Sequence, residues 1–168
     1  SLFSNTIGSD NTAVGFQSLY SNTTSNNSAF GYRSLYANTT GAYNSAFGRS
    51  ALKYNTIGQF NVAIGDESLN KNTTGNKNTA VGRATLLNNT IGSSNSAFGM
   101  YALLYNTTGS NNSAFGYYAL RNNTIGIRNV AIGNRSLRAN TTGNYNTAVG
   151  YESLGSNTTG QSNSAFGY

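Results

Sequence analysis

The side chains able to do acid–base, nucleophilic or metal chemistry are few in this sequence. Its 168 residues hold four acids, Asp10, Asp66, Glu67 and Glu152, and no Cys or His. Without Cys there is no disulfide framework and no thiolate metal site. Without His the commonest general base is missing, and most nucleophile–base pairs go with it. Asp66 and Glu67 are neighbours, and on a strand neighbours point to opposite faces; Glu152 lies far along the chain. No carboxylate pair and no metal constellation can be built from these spacings, so the sequence predicts no enzyme, no cofactor and no metal. Ten Lys and Arg leave a net charge of +6, which by itself points to a polyanion partner.

What positions these side chains is a repeat. Asn-[Ser/Thr/Val]-Ala-[Phe/Val/Ile]-Gly begins at Asn11, Asn27, Asn44, Asn61, Asn78, Asn95, Asn112, Asn129, Asn146 and Asn163, every 17 residues except for a first interval of 16. The missing residue is expected in the loop around Ser25–Asn26. Numbering columns from that Asn, column 3 is always Ala, 5 Gly, 9 Leu, and 12–13 Asn-Thr; column 15 is Gly except at Ser25. All fourteen charges fall in columns 6, 7, 10, 11 or 17, so the chain has a definite inside. Residues 1–10 and 163–168 are partial coils, and with no capping repeats the array reads as part of a longer fibre.

A second period overlies the first. Columns 2 and 4 run Thr/Val, Ser/Phe, Ser/Phe, Val/Ile, then repeat. Duplication of a four-coil block explains this most simply; the sharper reading alternates Phe and Val/Ile layers in a packed core.

Recurrent Gly, Asn, Thr and Ser argue against helix. Val62-Ala63-Ile64 followed by Gly65 reads as a short strand ended by a turn, Ser68-Leu69-Asn70 as a second strand, and Asn-Thr-[Thr/Ile]-Gly as a second turn. The fold class predicted is all-β: a parallel β-solenoid, or β-roll, of about ten 17-residue two-strand coils. Stacked at ~4.8 Å, ten coils span about 50 Å. Asn in columns 1 and 12 should form axial amide ladders, and columns 4 and 9, such as Phe98 and Leu103, should supply a thin core.

If columns 2 and 4 point inward, column 3 points out, yet it never varies. Close approach of another chain would explain that, making Ala13, Ala29, Ala46, Ala63, Ala80, Ala97, Ala114, Ala131, Ala148 and Ala165 candidate inter-chain contacts. The opposite assignment, with Ala inside and columns 2 and 4 against a partner, also stands. On the first assignment, Ala63→Lys should disrupt assembly more than Asn70→Lys.

Asn61-Val62-Ala63-Ile64-Gly65 and Asn129-Val130-Ala131-Ile132-Gly133 resemble the head repeat of YadA-like trimeric autotransporter adhesins. The stretch from Asn146 to Gly160 is similar to repeats in bacterial and phage tail-fibre proteins. The resemblance covers the whole chain and implies a left-handed homotrimeric β-roll used for attachment at a cell or virion surface. The adhesin head repeats are shorter than these, and neither a coiled-coil stalk nor a membrane-anchor pattern occurs in the 168 residues.

The expected function is therefore non-enzymatic: a structural segment of an extracellular fibre, serving as rigid rod or adhesive head and self-associating as a homotrimer or filament. Tyr32, Tyr101, Tyr117, Tyr118 and Tyr151 are candidates for contact with a host surface or glycan receptor. The alternative is an ice-binding solenoid using the stacked Thr column (Thr39, Thr56, Thr73 and onward). Nucleic acid is set aside because the basic residues form no stripe, Arg121 and Arg138 in column 10 being only a weak patch. No apolar run approaches the ~20 residues of a transmembrane helix, so no membrane insertion is expected. Asn-x-Thr sequons such as Asn38-Thr39-Thr40 read as turn chemistry rather than glycan acceptors.

Overall fold

The structure, a computed structural model, describes residues 1–168. Ten three-residue strands, one per coil, make a single parallel sheet in chain order. They are β1 (Thr12–Val14), β2 (Ser28–Phe30), β3 (Ser45–Phe47), β4 (Val62–Ile64), β5 (Thr79–Val81), β6 (Ser96–Phe98), β7 (Ser113–Phe115), β8 (Val130–Ile132), β9 (Thr147–Val149) and β10 (Ser164–Phe166). Ala lies on Ala at every step, as in Ala63↔Ala80. The chain is a parallel β-solenoid with one coil per repeat, and at ~4.8 Å per coil the sheet is roughly 45 Å long.

The expected second strand at columns 8–10 is not formed. Columns 7 and 9 take positive φ in every complete coil, for example Glu67 at 56° and Leu69 at 49°, a region closed to extended backbone. Axial bonding persists there without strand geometry: Leu69 N–H donates to Thr85 O at 3.0 Å and Lys71 N–H to Leu87 O at 3.0 Å. Of 111 backbone hydrogen bonds only 18 join strand to strand, so the turns and the strand flanks carry most of the axial ladder. Leu, an unfavourable residue for this conformation, is kept at column 9 because its side chain is fully buried in every complete coil up to Leu137.

The inside is Ala and Leu. From Ala29 to Ala148 column 3 has no exposure, and it joins the column-9 leucines in one apolar cluster. Column 4 is outside: Phe98 is 37% exposed and Ile132 43%. The two assignments open in the sequence are thereby decided, and the preferred one is corrected. Ala29, Ala46, Ala63, Ala80, Ala97, Ala114, Ala131 and Ala148 are core residues, not inter-chain contacts; Ala13 and Ala165 hold the same column, half-buried in the first and last strands. Ala is invariant because a narrow interior shared with Leu and two Asn columns takes nothing larger. Layering of Phe and Val/Ile in the core is likewise excluded. The Phe pairs stack outside, Phe30 on Phe47 at 4.9 Å and Phe98 on Phe115 at 5.0 Å.

Both Asn ladders form as expected. In column 12, Asn89 Nδ2 donates to Asn72 Oδ1 at 2.8 Å and to Gly92 O at 2.9 Å. In column 1, Asn95 N–H donates to Asn78 Oδ1 at 3.0 Å and its Nδ2 to Gly109 O at 2.9 Å. These amides are fully buried, so the sequon Asn residues of column 12, such as Asn38, serve the core. Column 15 is Gly because a Cβ at Gly92 would sit 2.4 Å from both Asn89 Oδ1 and Gly109 O.

The short coil loses its residue earlier than expected. Thr23 keeps column 13, its N–H and Oγ1 donating to Thr39 O at 3.0 and 3.1 Å. The Thr24 carbonyl takes the place of the column-15 glycine carbonyl, accepting from Asn22 and Asn11 Nδ2, each at 2.7 Å. Ser25 then stands in column 16, its Oγ accepting from Ser9 N–H at 2.9 Å. The deleted position is column 14, ahead of Ser25–Asn26, where no side chain enters either ladder.

Candidate functional site

Two surfaces stand out. The first is the outer face of the sheet, where strand alternation sends columns 2 and 4 outward. Column 4 runs Val14, Phe30, Phe47, Ile64, Val81, Phe98, Phe115, Ile132, Val149, Phe166 along β1–β10, and none of these side chains is buried. Column 2 beside it carries only Thr, Ser and Val, so this face has no charge over its whole length. Half-exposed Val, Ile and Phe in register at every step form a long continuous apolar strip.

The second surface is the edge made by columns 6–13. Of the five tyrosines singled out from sequence, three come together. Tyr101 stacks on Tyr118 with centroids 5.4 Å apart, and Tyr117 lies 3.9 Å from Tyr118. A side-chain hydrogen bond with Tyr118 pushes the Tyr117 hydroxyl's pKa up. Tyr32 instead stacks on Phe16 at 5.6 Å, and Tyr151 on Tyr168 at 5.4 Å. Arginines cover the rings: Arg83 lies 6.0 Å from Tyr101, and Arg121 lies 5.0 Å from Tyr118 and 5.1 Å from Tyr105. Arg83, Tyr101, Tyr118, Arg121 and Tyr105 thus form a continuous chain of cation–π and stacking contacts.

That chain ends at a groove of about 630 Å³. Column-11 side chains Lys71, Asn88, Tyr105 and Asn122 line one side, and the column-13 threonines from Thr90 to Thr141 the other. The groove exists because column 12 is drawn into the core between them, and because column 11 is long in consecutive coils from Tyr54 to Asn122, being Ser21, Ala37 and Ala139 in coils beyond that run. Sequence reasoning passed over Tyr105. Its signal was column-wise, a run of long polar or aromatic residues at one variable position in consecutive repeats.

No family model, curated protein or solved structure matches the chain. Its surfaces must therefore be read on their own chemistry.

Three of the four acids are spent in axial ion pairs. Arg49 Nε lies 2.8 Å from Asp66 Oδ1, and its Nη2 lies 3.3 Å from Glu67 Oε1. Both carboxylates therefore reach one guanidinium, because they occupy a turn and not the strand whose alternation would have parted them. Arg135 pairs with Glu152 at 2.9 Å. These hydrogen-bonded partners raise the pKa of Arg49 and of Arg135. No three metal-ligating side chains gather anywhere in the chain, and no helix is long and apolar enough to cross a membrane.

The Thr column is tied into the axis. Thr90 Oγ1 donates to Thr107 O at 3.1 Å and Thr107 Oγ1 to Thr124 O at 3.1 Å. The hydroxyl protons are committed to backbone, and the column borders a groove. Neither feature suits a flat Thr array facing ice.

Proposed function

We propose that this chain is a non-catalytic structural segment of an extracellular fibre, a rigid β-solenoid rod that associates as a homotrimer at a cell or virion surface. The observation that carries the reading is the outer sheet face, an uncharged strip of half-exposed Phe, Ile and Val along all ten strands. Apolar area of this extent on one face is characteristic of an interface. A second and third copy of the same strip match it in length and axial step, and a three-fold arrangement closes without leaving an open face. The resemblance of Asn-Val-Ala-Ile-Gly to trimeric adhesin head repeats points the same way.

Axial hydrogen bonding makes the rod's length proportional to repeat number, while columns 6, 7, 10, 11 and 17 vary without touching the ladders. A segment built this way positions an adhesive surface at a distance set by coil count.

The test is the native mass in solution, by light scattering, for the wild-type chain and for Phe98→Lys/Phe115→Lys. Three chains are expected for the wild type and one for the variant, with the same circular dichroism for both. A wild-type monomer removes the trimer. A variant that still trimerises removes the sheet face as its interface.

A further inference from the structure

We infer that the groove between columns 11 and 13 is a binding site for an acidic linear polysaccharide, one bearing uronate or sulfate groups, lying along the solenoid axis. The inference deepens the adhesive side of the proposed function. The groove belongs to one chain, however, and does not depend on the oligomer.

The groove's chemistry selects the class of ligand. Tyr105, 43% exposed, offers a ring face of the kind on which the C–H face of a sugar packs, with Arg121 5.1 Å from its centroid. Asn88 and Asn122 bring amides on the coils either side of it, and both are braced. Lys71 Nζ donates to Asn88 Oδ1 at 2.9 Å, and Arg121 Nη1 donates to Asn122 Oδ1 at 3.3 Å. Asn88 Nδ2 is used on Leu104 O at 2.8 Å, while Asn122, whose Oδ1 accepts from Arg121, makes no hydrogen bond through Nδ2 within the chain. An array of ring face, amides and Thr oxygens suits a polyhydroxylated chain.

Charge selects within that class. Lys71 and Arg121 stand three coils apart, about 14 Å at ~4.8 Å per coil, and each bonds to a neutral amide rather than a carboxylate. No acid lines the groove. Asp66 and Glu67 are held by Arg49 and Glu152 by Arg135, and Asp10 lies in the first partial coil. The groove therefore presents one uncompensated cation in its lining, Lys71, and a second at its margin, Arg121, held there on the lining residue Asn122, at a spacing that meets anionic groups three sugars apart. Its axial step, one coil, is close to the length of one hexose in an extended chain. A nucleic acid would need a longer run of phosphate contacts than two cations provide.

The experiment is calorimetric titration of the intact chain with polygalacturonate, with chondroitin sulfate and with neutral dextran, at low and raised salt. The expected result is binding of one or both acidic chains, identifying carboxylate or sulfate as the group read, and none of dextran. Tyr105→Ala should weaken binding about tenfold. Asn122→Asp, which adds a like charge without changing shape, should abolish it, and Lys71→Met should weaken it and flatten its salt dependence. Tyr145→Ala and Lys77→Ser, an aromatic and a cation in column 17, should leave it unchanged. The proposal is overturned if no acidic chain binds, if dextran binds equally, or if the column-17 variants weaken binding as much as the groove variants. Light scattering on the same samples separates the two readings. A monomer that binds keeps the groove and loses the trimer, whereas a trimer that binds nothing keeps the rod and loses the groove.

Discussion

At the scale of single residues, the buried asparagines carry the structure in a way composition hides. Asn89 donates to Asn72 Oδ1 and Gly92 O while accepting from Asn106 Nδ2 at 2.8 Å, all out of contact with water. Asn89→Ala leaves those partners short of a bond inside the coil and should cost about 2–4 kcal/mol. Asn88→Ala, one residue earlier but half-exposed, should cost under about 1 kcal/mol. Urea unfolding midpoints of the two variants check this, and equal losses would remove the ladder's importance. A titration offers a second residue-scale check. Lys53 Nζ bonds Tyr54 Oη at 3.0 Å, and that hydrogen bond lowers the phenol's pKa. A depressed acid contributes above its ordinary value and loses that contribution as pH falls through the folded value. The effect therefore belongs to alkaline pH, and because the pair is exposed it is a spectroscopic signature rather than a source of stability. Lys53→Met should move the Tyr54 ring resonance's midpoint upward in an NMR pH titration; an unmoved midpoint would remove the contact.

At the scale of the element, each coil is one short strand and a long bonded turn, and the turn has its own rules. Columns 7, 9 and 17 all take positive φ on residues other than Gly. Column 9 accepts this for the sake of buried Leu, whereas column 17 is exposed and has no such compensation. The chain already uses Asn there at Asn26 and Asn111, with φ of 64° and 61°. Lys77, at 57°, does not share Asn's tolerance of the left-handed region, so Lys77→Asn should raise stability by about 0.5–1 kcal/mol. A thermal melt reads this, and a lower midpoint would show that the backbone relaxes without help.

At the scale of the whole molecule, inside and outside assign different consequences to neighbouring columns. Ala63 has no exposure, so Ala63→Lys should break the coil itself, through an unpaired buried charge, and lose the β-sheet circular dichroism. The Phe98→Lys/Phe115→Lys pair should keep that signal and lose only the assembly. If Ala63→Lys folds and merely dissociates, the core assignment is wrong. Asn70 is a poor control for such a comparison: it is 8% exposed and its Nδ2 donates to Ser50 O at 2.8 Å. Asn88 serves better.

The period, the two Asn ladders, the axial stacking and the outward sorting of charge were legible in the sequence. Each follows from a column that repeats, and stacking in register converts repetition directly into contact. The sidedness of the strand was not legible, because Thr-Ala-Val and Ser-Ala-Phe alternate equally well with Ala in or out. Only the tertiary structure decided it, since only the closed coil reveals an interior too narrow for Phe. Columns 8–10 read as a strand in the sequence because Ser-Leu-Asn alternates like one, while positive φ at Leu leaves no compositional trace when burial overrides backbone preference. Three of the five tyrosines meet, and Tyr105 opens onto a groove, because consecutive coils bring residues about 17 apart side by side. The repeat determined which columns become neighbours; the path of the chain between them determined which side chains face the core and which face outward.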